Sequence, residues 1–302
     1  MESLLIDAPV KERELHNHHF DSTVWNDFAF RDDDVIIATP GKSGTTWTQQ
    51  IVGQLIFNGD PDVNVGELSP WVDLRVPPAH VKLPAIEAQT HRRFLKTHLP
   101  VDALLFDPRA KYIYCARDGR DIVWSLYNHH ANANDAWFQA INESPGRVGP
   151  PVPPADPDIH RYFRTWLEQD GAPFWSLWDN VRGWWAARRQ PNVLMLHFED
   201  LKRDLAGEMR RIAAFLEIEV APESWPRMIE HCGFDWMKRN AARAAPLGGV
   251  FWDGGAETFI NKGVNGRWRD TLTAQDVRDY EARALAELGP DCANWLAHGT
   301  IA

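Results

Sequence analysis

Cysteine is scarce in this chain: three thiols among 302 residues, Cys115, Cys232 and Cys292, stand far apart. They form neither an even disulfide set nor a metal-binding spacing, so reduced thiols and a reducing compartment are expected. No apolar run approaches the roughly 20 residues of a membrane-spanning helix. Residues 1–19 are charged and lack the apolar core of a secretory signal. Positive charge is short as well, with 32 Lys and Arg against 42 Asp and Glu and a net charge of −10. A nucleic-acid binder usually carries a basic face, so that class is disfavoured. A polyanionic ligand would need a local basic cluster inside an acidic shell. Repeats and low-complexity tracts are absent. The expectation is a cytoplasmic protein with no membrane and no nucleic-acid partner.

Tryptophan, by contrast, is abundant: fifteen residues that either line a pocket or fill the core. The length admits one large domain or two small ones, and the pattern favours a single domain over 1–302. Segments 35–38, 92–97, 111–117 and 193–198 are short apolar runs that read as strands. Helical patterns alternate with them, including a closing helix over 273–288. The expected fold is therefore α/β, a central parallel sheet flanked by helices, with ligand groups at the carboxyl ends of the strands. Residues 1–32 read as a polar N-terminal arm, docked by Phe20, Trp25, Phe28 and Phe30. Its His16, His18 and His19 read as solvated surface histidines before they read as a metal cluster. Residues 61–90, with five prolines, are expected to be irregular. Segments 144–158 and 240–258 are expected to be mobile loops, the first an inserted loop and candidate lid rather than an interdomain linker.

The stretch 35–47 organises the rest. A buried strand runs into Pro40, Gly41, Lys42, Ser43 and Gly44, and from Thr46 the apolar residues Ile51, Leu55 and Ile56 return at helical spacing. Strand, tight loop and helix start concentrate backbone N–H groups and the positive end of a helix dipole at one spot. Lys42 adds a full charge, and Ser43, Thr45 and Thr46 add hydroxyl donors. A plain glycine-rich turn is the alternative. In a Walker loop the lysine follows the last glycine; here Lys42 precedes Gly44, and Trp47 follows the threonines. Other strand ends carry further chemistry. His98 suits a general base or a strand cap. Arg117, with Ser125 eight residues on, suits a phosphate or a simple strand–helix junction. The glycine-rich segment from Asn261 to Arg269 either folds over a phosphate or leads into the last helix.

Gly41-Lys42-Ser43-Gly44-Thr45-Thr46-Trp47, then Lys96-Thr97-His98-Leu99-Pro100, then the Arg117–Ser125 segment resemble the sulfotransferases that use 3′-phosphoadenosine 5′-phosphosulfate (PAPS). The resemblance runs from about 33 to 269, in the family's order. It implies a 5′-phosphosulfate loop at 41–47, His98 as the base, and Lys42 and Lys96 as charges that stabilise the reaction. It implies Arg117 and Ser125 on the 3′-phosphate, with Lys262 and Gly263 in a second 3′-phosphate segment. Trp47 and Phe234 would flank adenine, with Phe198 beside them. Asn261 stands where arginine is common and Phe198 where tyrosine is usual, while Cys232 and Gly233 replace hydroxyl residues. The implied reaction moves a sulfuryl group from PAPS to an acceptor hydroxyl, releases 3′,5′-adenosine bisphosphate (PAP) and needs no metal. The family's Lys-x-x-x-Thr-Val-x-x-x-Glu dimer motif is not intact around 269–278, so a homodimer would lack its usual signature.

Phe20, Trp25, Trp71, Trp137 and the 144–158 loop are candidates for an aromatic acceptor pocket. Such a pocket favours a phenol or a flat alcohol over a polyanionic glycan. Two rival classes stand beside this one. A magnesium-dependent kinase would use the same loop, with Asp200 holding the metal. A non-catalytic nucleotide-binding module would have no need of His98.

Overall fold

A computed structural model describes residues 8–300, so the first part of the expected arm, 1–7, lies outside the described residues. Four strands form the sheet: β1 (Val35–Ala38), β2 (Phe94–Thr97), β3 (Lys111–Ala116) and β4 (Val193–His197), in the order β2-β1-β3-β4. All three pairings are parallel, with Val35 opposite Phe94 and Lys111, and Tyr112 opposite Val193. Parallel strands need cover on both faces, which is why these runs are mostly apolar. Their side chains alternate between two cores. Ile36, Leu95, Tyr112 and Tyr114 face one; Val35, Ile37, Phe94, Ile113 and Cys115 face the other.

Helix α1 (Thr45–Ile56) follows β1, and α2 (Val65–Leu68) and α3 (Ala79–Glu87) precede β2. Between β3 and β4 lie α4 (Gly119–Ala131), α5 (Asp135–Asn142), α6 (Ile159–Glu168) and α7 (Leu177–Ala187). After β4 come α8 (Phe198–Arg203), α9 (Leu205–Phe215), α10 (Trp225–His231) and α11 (Phe234–Arg239). Helices α12 (Ala241–Ala244), α13 (Gly255–Phe259) and α14 (Ala274–His298) complete the chain. Ile51, Val52 and Leu55 of α1, with Met209 and Ile212 of α9, cover one face. Phe163, Trp178, Trp184, Tyr280 and Trp295 cover the other, so most tryptophans fill the core.

Several expectations change here. Residues 61–90 are only partly irregular: they hold α2 and α3, and Pro84 sits inside α3. Segment 240–258 holds α12, a 3-10 turn at Pro246–Gly249 and most of α13. Segment 144–158 has no helix or strand, but it is anchored. Arg75 donates to the carbonyls of Ser144 and Pro145, and His130 Nε2 lies 2.7 Å from the Pro153 carbonyl. His18 and His19 are buried rather than solvated, because the arm folds inward through Phe20, Trp25 and Phe28. The last helix runs on to His298, across a break where Gly289 has φ 72° and Pro290 follows.

Candidate functional site

The loop after β1 opens onto a cavity of about 900 Å³, a size suited to a nucleotide and a second ligand together. Two left-handed residues shape it: Lys42 at φ 65° and Gly44 at φ 103°. A Cβ on Gly44 would stand 2.9 Å from Phe198, so glycine serves both the dihedral and the close approach. Gly44 caps α1, whose first intrahelical bond runs from Thr48 N to Gly44 O at 2.9 Å. The amides of Thr45, Thr46 and Trp47 therefore have no partner within the helix.

Three strand ends meet at this cavity. Lys42 follows β1, Lys96 and His98 lie at the end of β2, and Arg117 follows β3; all four line it. His98 Nδ1 is 2.8 Å from the Thr39 carbonyl. A carbonyl only accepts, so Nδ1 carries the proton and Nε2 is the basic nitrogen, which has no protein partner among the described residues. The backbone of His98 is held too. Asn180 of α7 donates to its carbonyl at 2.9 Å and accepts from Tyr114 of β3 at 2.9 Å. Burial, then Lys96 and Lys42, push the His98 pKa down to about 3, against the pull of the Thr39 carbonyl. Burial lowers Lys96 to about 8, opposed by Asp73. Burial also lowers Lys42 to about 7, helped by the charges of Lys96 and Arg117. The cluster is thus basic, crowded and short of anions, which is how a protein prepares for a polyanionic ligand.

Arg117 is fixed at the opposite corner. Its guanidinium lies 4.4 Å over the Phe198 ring, and Nε donates to Asn265 Oδ1 at 2.8 Å. It also donates to the carbonyls of Lys42 (3.3 Å) and Val264 (3.2 Å). Asn265 in turn donates to Glu199, the Gly266 amide donates to Asp121 at 2.7 Å, and Lys202 donates to the Gly263 carbonyl at 3.0 Å. The segment after α13 is thereby laced across Arg117, and it brings Lys262 and Gly263 to the cavity with Ser125. Trp47, Phe198 and Phe234 line the same end; Trp47 donates to the Cys232 carbonyl at 2.8 Å and meets Phe198 edge-on at 5.2 Å.

Around His98 the wall is aromatic. Trp71 packs edge-on against it at 4.7 Å and Trp175 lies at 5.7 Å; Trp137, Phe174 and His19 continue the lining. Three residues expected at the site stand behind it. The Ser43 hydroxyl turns inward to the carbonyls of Pro40 (2.7 Å) and Cys115 (3.0 Å). Phe20 is core, packed behind Trp175 at 4.6 Å. Trp25 is core as well, its indole donating to Asp73 at 3.2 Å. No residue of 144–158 lines the cavity. Asp200 is bound to Arg203 and to the amide of Thr300 at 2.9 Å, away from the cavity.

Sequence reasoning missed His19, Trp175 and His129. The signal for His129 was present: it lies one helical turn after Ser125 on α4 and shares its face. Its Nδ1 is 3.2 Å from Lys42 Nζ.

The family model described as Sulfotransferase domain matches residues 32–288. The chain is 32% identical to a glycolipid sulfotransferase of Mycobacterium bovis (strain BCG / Pasteur 1173P2), over 92% of each chain. It is 29% identical to sulfotransferase 1B1 of Mus musculus, over 82% of this chain and 80% of that one. Among solved structures, mouse sulfotransferase SULT7A1 complexed with PAP has a TM-score of 0.72 at 21% identity, covering 92% of this chain and 94% of the other. A retinol dehydratase in complex with androsterone and inactive cofactor PAP has a TM-score of 0.69 at 24% identity, covering 88% and 83%.

Proposed function

The chain belongs to the sulfotransferase family, and on that premise we propose that it moves the sulfuryl group of PAPS to the hydroxyl of a small acceptor, with His98 as general base. The observation that carries this reading is the state of His98. Its Nδ1–H is committed to the Thr39 carbonyl, so Nε2 is unprotonated and, among the described residues, has no partner, beside two lysines. The PAP-bound neighbours support the donor. Loop amides, Lys42 and the Thr46 hydroxyl receive the 5′-phosphosulfate; Arg117, Ser125, Lys262 and Gly263 receive the 3′-phosphate; Trp47, Phe198 and Phe234 enclose adenine.

In the reaction the acceptor oxygen attacks sulfur in line while Nε2 of His98 takes its proton. The bond from sulfur to the bridging oxygen breaks, and its electron pair stays on the phosphate of PAP. Lys42 and the loop amides stabilise that developing charge without reorganising, and Lys96 serves the sulfuryl oxygens. The aromatic wall of Trp71, Trp137, Phe174 and Trp175 favours an acceptor with a flat or apolar body, such as a phenol or an apolar alcohol. Similarity to a glycolipid sulfotransferase keeps a lipid-linked hydroxyl within that class.

Calorimetric titration with PAP, compared with ATP plus magnesium, tests the reading. Tight, metal-independent binding of PAP is expected. Preference for ATP with magnesium would overturn it in favour of a kinase.

A further inference from the structure

We propose that His129 is the positioning residue of Lys42: its Nδ1 holds the lysine ammonium by a direct hydrogen bond and decides where, and in which charge state, that lysine meets the donor. The inference rests on Lys42 serving the leaving phosphate, as proposed above, and adds a residue on which that role depends.

The geometry is direct. Lys42 Nζ lies 3.2 Å from His129 Nδ1. An ammonium has donors only, so the imidazole nitrogen accepts and the ring proton sits on Nε2. The ring cannot easily turn away, since Trp252 packs against it at 4.8 Å and Phe259 at 5.9 Å. Phe259 also faces the ammonium itself, whose Nζ is 4.9 Å from the ring centroid. Helix α4 thus places Ser125 and His129 on one cavity-lining face, one turn apart.

Lys42 depends on this partner because its other charged neighbours repel it. Lys96 at the end of β2 and Arg117 after β3 both disfavour its protonation, in addition to the cost of burial. Among the described residues Lys42 enters no ion pair with a carboxylate. His129 can accept only while it is neutral. Burial and the charges of Lys42 and Lys96 hold it so, well below the ordinary histidine range. A neutral acceptor favours the protonated lysine and adds no opposing charge. Removing the acceptor leaves burial and repulsion unopposed, so the Lys42 pKa falls.

Two substitutions separate hydrogen bonding from packing. His129→Phe keeps a flat ring and removes the acceptor; His129→Asn removes the ring and keeps an acceptor oxygen close to the position of Nδ1. The readout is the lysine 13Cε NMR titration of the free protein, with the Lys42 signal assigned by its loss in Lys42→Met. In the wild type the midpoint is expected at about 7. His129→Phe should lower it by about one pH unit, a tenfold change in the protonation equilibrium, and His129→Asn should leave it within about 0.3 units. An unshifted midpoint in His129→Phe, or equal shifts in both variants, would overturn the proposal and reduce His129 to packing. His129→Ala replaces His129→Phe if circular dichroism shows the larger ring to unfold the chain. PAP titration of the same samples distinguishes this from the donor reading: wild-type protein that ignores PAP refutes the donor, whereas the lysine titration is measured without ligand.

Discussion

The Thr39 carbonyl and the Nδ1–H of His98 form a 2.8 Å hydrogen bond between the ends of neighbouring strands. That bond selects the tautomer of His98, and with it the nitrogen that faces the cavity. His98→Ala is therefore expected to keep PAP affinity within about threefold while lowering kcat by roughly 10²–10⁴-fold, the range for a general base. Calorimetry and steady-state kinetics on one preparation decide it. Wild-type turnover in the variant would remove His98 from the chemistry.

Arg117 offers a second test, because its bonds to Asn265, Val264 and Lys42 leave it fixed before any ligand arrives. Arg117→Ala should weaken PAP binding by about 10–100-fold, the value of charge-assisted hydrogen bonds to one phosphate. Binding of adenosine 5′-phosphate, which has no 3′-phosphate, should change by no more than about threefold. Equal losses for both nucleotides would contradict a 3′-phosphate role.

Gly263 sits at φ +61°, and a Cβ there would come within 2.5 Å of the Phe234 ring. Gly263→Ala must displace either the ring or the backbone beside it. The expected result is PAP affinity reduced about tenfold with little change in melting temperature, since Phe234 is exposed and carries little of the core. Unchanged affinity would show that Phe234 takes no part in donor binding.

Stability should fall on acidification. His19, His98 and His197 are buried, and burial is the main cause that lowers the pKa of each, to about 3 for His98. Above the unfolded value of about 6.5 both states are neutral at these sites. Below it the unfolded chain takes up protons that the folded chain refuses, so stability is lost as pH drops from 6.5 toward the folded values. Each buried histidine steepens the loss by up to about 1.4 kcal/mol per pH unit. Urea unfolding at pH 8, 6.5 and 5 should give midpoints that fall along the series, the buried lysines Lys42 and Lys96 contributing to the first step and the histidines to the second. A flat series would mean that these rings protonate in the folded state.

Much of the frame could be read in advance, for a simple reason. A parallel strand buried on both faces is apolar along nearly its whole length, so 35–38 and 111–116 announce themselves. The anion loop is legible for a related reason, since glycine, lysine and hydroxyl residues packed between a strand and a helix have few other uses. Aromatic residues were harder. Of the aromatic residues expected at a pocket wall, Trp71 and Trp137 line the cavity, while Phe20 and Trp25 lie in the core and Trp175 stands in the wall instead; periodicity says that a side chain is buried, not on which side of the wall it lies. Proline misled over 61–90, where α3 tolerates Pro84 within tertiary packing. Ser43 shows that a hydroxyl in such a loop can equally serve nearby backbone carbonyls, one in the loop and one on β3.

The corner that holds Arg117 is fastened from far along the chain. Val264 and Asn265 grip its guanidinium, and the Tyr280 hydroxyl accepts from the Gly119 amide at 3.0 Å. A chain emerging from the ribosome makes its anion loop early, but this corner stays open until residues 264–280 have been synthesised and have folded back. On the proposed role of Arg117, nucleotide capture is therefore a late event in the birth of the molecule. Chains that end before that point carry His98 and both lysines without the contacts that hold Arg117.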